Sequence, residues 1–412
     1  MEKELVINGV KVTNLKKEFG TPLYIYDENK IRENILEYKN NLKSKLFETE
    51  VIFASKSFNV KEMLRICKEL GISLDCVSYG ELFTAKEVDY DPTKIYMHGN
   101  NKSIEELVYC IDHNVNIVVD NLMELEMINS LAKEKEVALY IRLNVGVDAH
   151  THKYIVTGHI DSKFGVIYNS EDYKEMAKII SSNTNLKLVG FHAHIGSQIF
   201  DEGAFYAEID KLVSYLKDFS YPLNLDLGGG FGVTYTDDDK PIPFHKISKL
   251  IVSHMEEALK RENVRVNKVL IEPGRSIVAE CGYTLYTIGF MKKTPNKRYY
   301  FVDGGMTDNI RPALYQAKYS VDVATQMDKE KNVSVCVAGK CCESGDIIVE
   351  NAMLQEANTG DLIITYTTGA YGYSMSSNYN KALTPAVVFI KDGKARSVVK
   401  RQTYAELIER EV

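Results

Sequence analysis

The 412-residue chain has no apolar run approaching the roughly 18 residues of a membrane-spanning helix, so no membrane partner is expected. It also lacks a basic excess. Fifty Lys+Arg stand against 57 Asp+Glu, a formal charge of −7, which leaves no electrostatic footprint for nucleic acid. Seven cysteines, at 67, 76, 110, 281, 336, 341 and 342, show no CxxC spacing, which argues against a zinc ribbon or a redox motif. The opening MEKELVINGVKV has neither the apolar core of a signal peptide nor the Arg/Ser-rich makeup of a transit peptide. A disulfide framework is therefore not expected, and the thiols read as reduced side chains of a cytoplasmic protein. Low-complexity tracts, heptads and short repeats are absent too. What remains is ordinary globular composition, 45% hydrophobic and 26% charged, long enough for two or three domains.

The middle of the chain alternates two kinds of pattern. Short β-rich runs fall at 51–55, 73–78, 94–99, 116–120, 138–145, 188–196, 224–230 and 268–274, with helical periodicity between them. Two of those helices carry start signals, Asn59 with Glu62 and Ser103 with Glu106. Eight such units in about 250 residues predict a (β/α)8 barrel rather than an open doubly wound sheet. Lys56, Asn100, Arg142, His194, Gly228–Gly230 and Glu272 all fall at or near strand C-terminal ends, the face on which barrels build their sites. After about residue 278 the rhythm becomes strand after strand, with a last helix near 403–410. The segment ELVINGVKV, with an Asn8–Gly9 turn signal, is too short to fold alone and is assigned to that β domain. The expected division is a barrel over 27–277 and a discontinuous β domain from 1–26 and 278–412.

Lys56 ends a hydrophobic strand, where desolvation would move its pKa toward neutrality and expose the neutral amine that a Schiff base needs. By itself it could equally be a strand-end lysine reaching for solvent. The run Asp226-Leu-Gly-Gly-Gly-Phe-Gly232 would let backbone N–H groups approach an anion, and its spacing is neither a dinucleotide fingerprint nor a P-loop. His192 and His194, two apart on a strand, should share a face, either as a metal pair or as a ring-stacking histidine beside a supporting one. No carboxylate-plus-histidine set at recognisable ligand spacing completes a metal site, so no metal is expected. Glu272, in Glu-Pro-Gly-Arg, could keep a heterocyclic nitrogen protonated, while Arg275 could hold a carboxylate bidentately. An amine, an anion loop, a stacking ring and a carboxylate on one barrel face together describe a pyridoxal phosphate site.

With these residues in place, the chain resembles the barrel-type (alanine racemase-like, fold type III) pyridoxal-phosphate decarboxylases. It is most similar to the branch that converts meso-2,6-diaminopimelate to L-lysine and CO2, the last step of lysine synthesis. The likeness runs from Thr21-Pro22 to Tyr379-Asn380. It rests on FASKSF around Lys56, Leu74-Asp75, Ser78-Tyr79-Gly80-Glu81-Leu82, His98-Gly99-Asn100, Arg142-Leu-Asn-Val, Thr151-His152, Thr157-Gly158 and Lys163-Phe164-Gly165. HAHIGSQ, LGGGFG, EPGR, Asp303-Gly-Gly-Met, Arg311-Pro-Ala-Leu-Tyr315, Cys342-Glu343-Ser344 and Gly369-Ala-Tyr371 complete it. The resemblance implies that Lys56 carries the cofactor with Asp75 beside it, that His194 stacks on the ring and that Glu272 pairs with its nitrogen. It implies that Ser197, Gly229, Gly230, Gly274, Arg275 and Tyr371 hold the phosphate region. Arg275, Arg311, Tyr315, Glu343 and Tyr371 would bind substrate, and Cys342 or Lys56 would return the proton. It also implies a homodimer in which Cys342 and Glu343 enter the partner's site.

The chain departs from the family pattern at Lys56-Ser57-Phe58, Tyr79, Ala193 and Lys340-Cys341, none of which carries an assigned charge. The competing readings are a relative of the same fold acting on D-ornithine/D-lysine or carboxynorspermidine, a racemase, a metal-dependent barrel hydrolase and a non-catalytic cofactor carrier. A distal carboxylate on the substrate would give Arg275 and Arg311 a purpose that a purely basic substrate would not.

Overall fold

The structure, a computed structural model, describes residues 3–147, 149 and 161–412. The motif positions Thr151, His152, Thr157 and Gly158 lie outside the described residues. The chain divides into two compact units, one of 34–232 with 241–274, the other of the residues up to Glu33 with 233–240 and 275–412. Among the described residues no helix is long and apolar enough to cross a membrane.

The first unit is a closed barrel of eight parallel strands: β1 (Glu48–Ala54), β2 (Ser73–Cys76), β3 (Ile95–Met97), β4 (Asn116–Val119), β5 (Val137–Arg142), β6 (Leu186–His192), β7 (Leu223–Asp226) and β8 (Val266–Ile271). Neighbours in sequence are neighbours in space, and β8 closes on β1. Each of the eight β-rich runs supplies one strand. Ile52, Tyr96, Val118, Tyr140 and Leu270 pack together inside, so the barrel is filled rather than hollow. A polar group lies among the strands as well, where Glu50 accepts from Tyr96 (3.1 Å), from Lys268 (2.6 Å) and from Ser73.

Short polar caps start several of the helices that follow the strands. Ser103 and Glu106 form the expected capping box, and the helix Ile104–His113 then ends on left-handed Asn114. Ser78, Asn121 and Asp201 also cap their helices, each side chain accepting a first-turn backbone N–H. Asn59 does not. The helix Lys61–Leu70 begins after Val60 without a side-chain cap, because Asn59 instead donates to Ser55 Oγ (3.0 Å) and braces the turn that carries Lys56.

The second unit is a sheet ordered Ile347–Gln355, Lys331–Ala338, Arg298–Val302, Gly282–Lys293, Leu23–Asp27, Ala386–Lys391, Lys394–Val399. The long strand Gly282–Lys293 serves two partners in succession. Its first half pairs with Leu23–Asp27 and Leu362–Thr365, and its second half with Arg298–Val302. Two apolar clusters form on this strand, one around Leu23, Ile25, Leu285 and Val388, the other around Tyr286, Tyr300 and Val335. At the N-terminus Val6–Ile7 pairs with Val10–Lys11 across Asn8 (φ 42°) and Gly9 (φ 79°), the two positive φ values of the hairpin turn that Asn-Gly predicts. The terminal helix Tyr404–Ile408 has its own capping box, Thr403 with Glu406. Residues 233–240 belong to this unit because it holds them: Thr367 donates to Thr234 O (3.1 Å) and Ser320 to Tyr235 O (3.0 Å).

Candidate active site

In the barrel unit, the C-terminal strand ends carry the chemistry. Lys56 sits on a short 3-10 turn just past β1, and its Nζ lies 3.2 Å from Asp75 Oδ2 on β2. Asp75 is fully buried, but the lysine side chain is 44% exposed. The expected desolvated lysine is thus corrected: the turn lifts the amine out of the apolar strand and pairs it with a buried carboxylate. Arg142, at the end of β5, lies 4.3 Å over the Phe164 ring and 4.0 Å from Asp120.

His192 and His194 part company where β6 ends. His192 is buried, with Nε2 3.2 Å from Glu272 Oε2, whereas His194 is open in the barrel mouth and accepts from Gly229 N–H (3.3 Å). Strand alternation stops at His192, so the shared face expected for the pair does not form. Instead His98, just past β3, places Nε2 2.7 Å from Glu272 Oε1, and the two imidazoles meet edge to face at 4.8 Å. Among the described residues, His98, His192 and Glu272 bring ligand-type atoms within 4.8 Å of one another. The expectation that no such set assembles is corrected, because His98 comes from a strand not adjacent to the others. Its hydrogen-bond spacings make the set a clamp on one carboxylate.

Burial opposes ionisation of Glu272, but His98 and His192 outweigh it and hold the carboxyl well below the usual carboxylate range. Burial pushes His192 down to about 3, so that ring is neutral. Burial, and then the charge on Glu272, push Asp226 well above its ordinary value. Asp226 accepts from Gly228 N–H (2.9 Å). Its depth in the mouth, and then Lys56 and Arg142, push His194 below its ordinary value.

The glycine run knits three strand ends together. A Cβ on Gly229 would stand 2.2 Å from Glu272 O, and one on Gly230 (φ 101°) would stand 2.4 Å from Gly196 O. Ile199 N–H donates to Gly230 O (2.9 Å), which ties the loop of exposed Ser197 to this run. Gly274 lies against the Lys56 turn, where a Cβ would meet Ala54 O at 2.9 Å.

Glu81 lies near the same amine. Burial, and then Asp75, push it up to about 7. The native chain keeps a proton that the unfolded chain releases above about pH 4.5, so this group costs stability as pH rises toward 7, by about 3 kcal/mol at most. Glu81→Gln should raise the melting temperature relative to wild type at pH 8 and leave it little changed at pH 5. An equal gain in paired melting curves at both pH values would refute this.

In the second unit, Arg275 Nη1 donates to Tyr235 OH (2.5 Å), and its guanidinium lies 4.8 Å over Tyr371. Arg311, 8% exposed, donates to Tyr319 OH and lies 4.9 Å over Tyr235. Among the described residues no carboxylate lies within 4.0 Å of Arg311. Tyr315, at the end of the short helix Arg311–Tyr315, is 62% exposed. Cys342 and Glu343 are exposed on a loop ordered by buried Asp346, which accepts from Met306 N–H (2.6 Å) and Cys341 N–H (2.8 Å). Asn380 fixes Cys342 N–H at 2.9 Å.

The family profile for the pyridoxal-dependent decarboxylase pyridoxal-binding domain matches residues 28–279. Diaminopimelate decarboxylase of Bacillus subtilis (strain 168) is 43% identical, with 98% of this chain and 94% of the relative covered. The chain belongs to the diaminopimelate decarboxylase family. The Bacillus methanolicus member of the family is 44% identical over 97% of this chain and 94% of its own. Among solved structures, diaminopimelate decarboxylase from M. jannaschii in co-complex with L-lysine has a TM-score of 0.94 at 32% identity, covering 100% of this chain and 96% of that one.

Within this decarboxylase-family chain, four groups at the strand ends or beside the arginines had no role assigned from sequence. They are His98, Asp226, Tyr235 and Tyr319. His98 and Asp226 do carry a signal, since each is a polar residue at a barrel strand's C-terminal end. Tyr235 and Tyr319 carry none, because tyrosine in a loop has no distinctive spacing.

Proposed function

We propose that this chain decarboxylates meso-2,6-diaminopimelate to L-lysine and CO2, with pyridoxal 5'-phosphate as cofactor, as a lyase of lysine biosynthesis in the cytoplasm. The residues fit that cofactor. An ionised Glu272 is available for a pyridine nitrogen, an accessible amine stands on Lys56, a flat imidazole of His194 opens into the barrel mouth, and a glycine loop presents backbone. When bound, pyridoxal phosphate supplies a carbonyl carbon for an amine and an electron-accepting ring. Lys56 offers the amine, and Asp75 orients it. Glu272, clamped by His98 and His192, keeps a negative charge where the ring nitrogen must stay protonated. Ser197, Gly229, Gly230, Gly274, Arg275 and Tyr371 hold the phosphate region.

The observation that carries the substrate choice is the pair Arg275 and Arg311, two guanidiniums held by phenols and rings. Diaminopimelate brings a second carboxylate and a second ammonium. The arginines, with Tyr315, suit the carboxylate, and Glu343 suits the ammonium. A basic amino acid lacking that carboxylate would leave buried Arg311 without a counter-charge, which costs several-fold to many-fold in affinity. Cys342, with Lys56 second, returns a proton to the reacting carbon. In a homodimer each site takes Cys342 and Glu343 from the other copy.

The test is turnover of meso-diaminopimelate against ornithine, lysine and arginine by the cofactor-loaded protein, with borohydride reduction and peptide mapping to locate the modified lysine. Diaminopimelate should be preferred by at least about 100-fold in kcat/KM. Preference for any of the other three, or an adduct away from Lys56, overturns the proposal.

A further inference from the structure

We infer that Tyr235 is a specificity-determining positioning residue, whose ring and hydroxyl hold Arg275 and Arg311 as one receptor for a ligand carboxylate. This rests on the proposed function, in that the carboxylate is the one remote from the bond that breaks.

One phenol meets two cations at two different places. The oxygen of Tyr235 accepts from Arg275 Nη1 at 2.5 Å, while the face of its ring lies 4.9 Å under the guanidinium of Arg311. The negative face of an aromatic ring and a phenol oxygen both attract guanidinium without carrying a formal charge. That distinction decides the chemistry. A carboxylate in the same place would hold the arginines equally well but would cancel part of their charge, so an arriving ligand carboxylate would have to compete with an ion pair already closed. A phenol gathers the two cations and adds no formal negative charge of its own where a ligand carboxylate would bind.

The surroundings fix Tyr235 tightly. Its own N–H and that of Thr236 donate to Asp239 Oδ2, each at 2.9 Å, so the nearby acid is spent on the turn. Ser320 Oγ donates to its carbonyl at 3.0 Å. Tyr235 is 7% exposed, and Tyr319 packs edge to face on its ring at 5.2 Å. Burial pushes the Tyr319 phenol up to about 12, so it stays protonated while accepting from Arg311. Each phenol that accepts from a guanidinium still has its own O–H to donate, and the cation strengthens that donor. The receptor therefore has two guanidiniums and two hydroxyl donors in one place, all from the second unit.

The test compares wild type, Tyr235→Phe and Tyr235→Leu as cofactor-loaded proteins. L-Lysine retains the remote carboxylate of diaminopimelate, and cadaverine lacks it. Titration calorimetry should show L-lysine binding about 10-fold or more weaker in Tyr235→Leu, with cadaverine binding unchanged within about 2-fold. KM for diaminopimelate should rise by about 10-fold while kcat falls by less than about 3-fold. Tyr235→Phe, which keeps the ring over Arg311, should recover most of the loss. If lysine and cadaverine weaken together, or if Tyr235→Leu binds lysine like wild type, the inference is overturned while the proposed reaction stands. If wild type fails to turn over diaminopimelate and binds lysine no better than cadaverine, the proposed reaction falls and the inference with it.

Discussion

Lys56→Ala should lose turnover of diaminopimelate by more than about 1,000-fold while the chain still folds. The expected separation of activity from folding comes from where the residue sits. Its side chain is 44% exposed on a turn beyond β1, so alanine opens no core cavity. The cost to stability comes from Asp75, fully buried with Oδ1 already unpartnered, which loses its cation. That costs about 1–3 kcal/mol, toward the lower end because the lysine head is half in water. Lys56→Arg separates the two effects. A guanidinium restores the charge beside Asp75 but cannot serve as the amine nucleophile, so stability should return without activity. Chemical denaturation and single-turnover assays on the three proteins check this. Substantial turnover by either variant would remove Lys56 from its assigned role, and a Lys56→Arg protein as unstable as Lys56→Ala would remove Asp75 from its role as partner.

The contrast between Lys56 and His98 explains what the sequence discloses. All eight barrel strands are legible because each is a short apolar run followed by a helical pattern, and both signals are local. The position of Lys56 at a strand end is local too. Its exposure is not, because that depends on the 3-10 turn braced by Asn59, which looks in sequence like a helix cap. His98 reaches Glu272 from β3 to β8, with β1 and β2 between them in the barrel, and no spacing in the chain encodes that meeting. His192 and His194 fail for the opposite reason. Strand alternation is a local rule, and His194 lies two residues past the point where the strand stops. Residues 233–240 sit between glycine-rich loop and helix with no local signal of their unit, and contacts such as the hydrogen bonds from Thr367 and Ser320 assign them to the second unit. Tyr235 was invisible for that reason, since its partners Arg275 and Arg311 lie 40 and 76 residues further along the chain.

Mixing two inactive proteins, Lys56→Ala and Cys342→Ala, should restore activity to about a quarter of the wild-type level. The figure follows from symmetry. Random pairing makes half the dimers mixed. If each site takes Lys56 from one copy and Cys342 from the other, a mixed dimer has one intact site and one doubly defective site. If each site were built from a single chain, every site in the mixture would carry one lesion and nothing would recover. The proposed homodimer, with its shared sites, makes the first arrangement the expected one. Cys342 and Glu343 stand exposed to solvent on a loop that is firmly organised from beneath by Asp346 and Asn380. A thiol and a carboxylate held in place on the surface are accessible to a second copy of the chain. Both substitutions fall on exposed side chains, so each parent should keep its fold, and differently tagged copies allow mixed dimers to be purified and weighed by native mass spectrometry. Glu343→Ala in place of Cys342→Ala should complement Lys56→Ala equally well, since both residues would cross the same interface. Verified mixed dimers that remain inactive in both pairings would place the complete site within one chain.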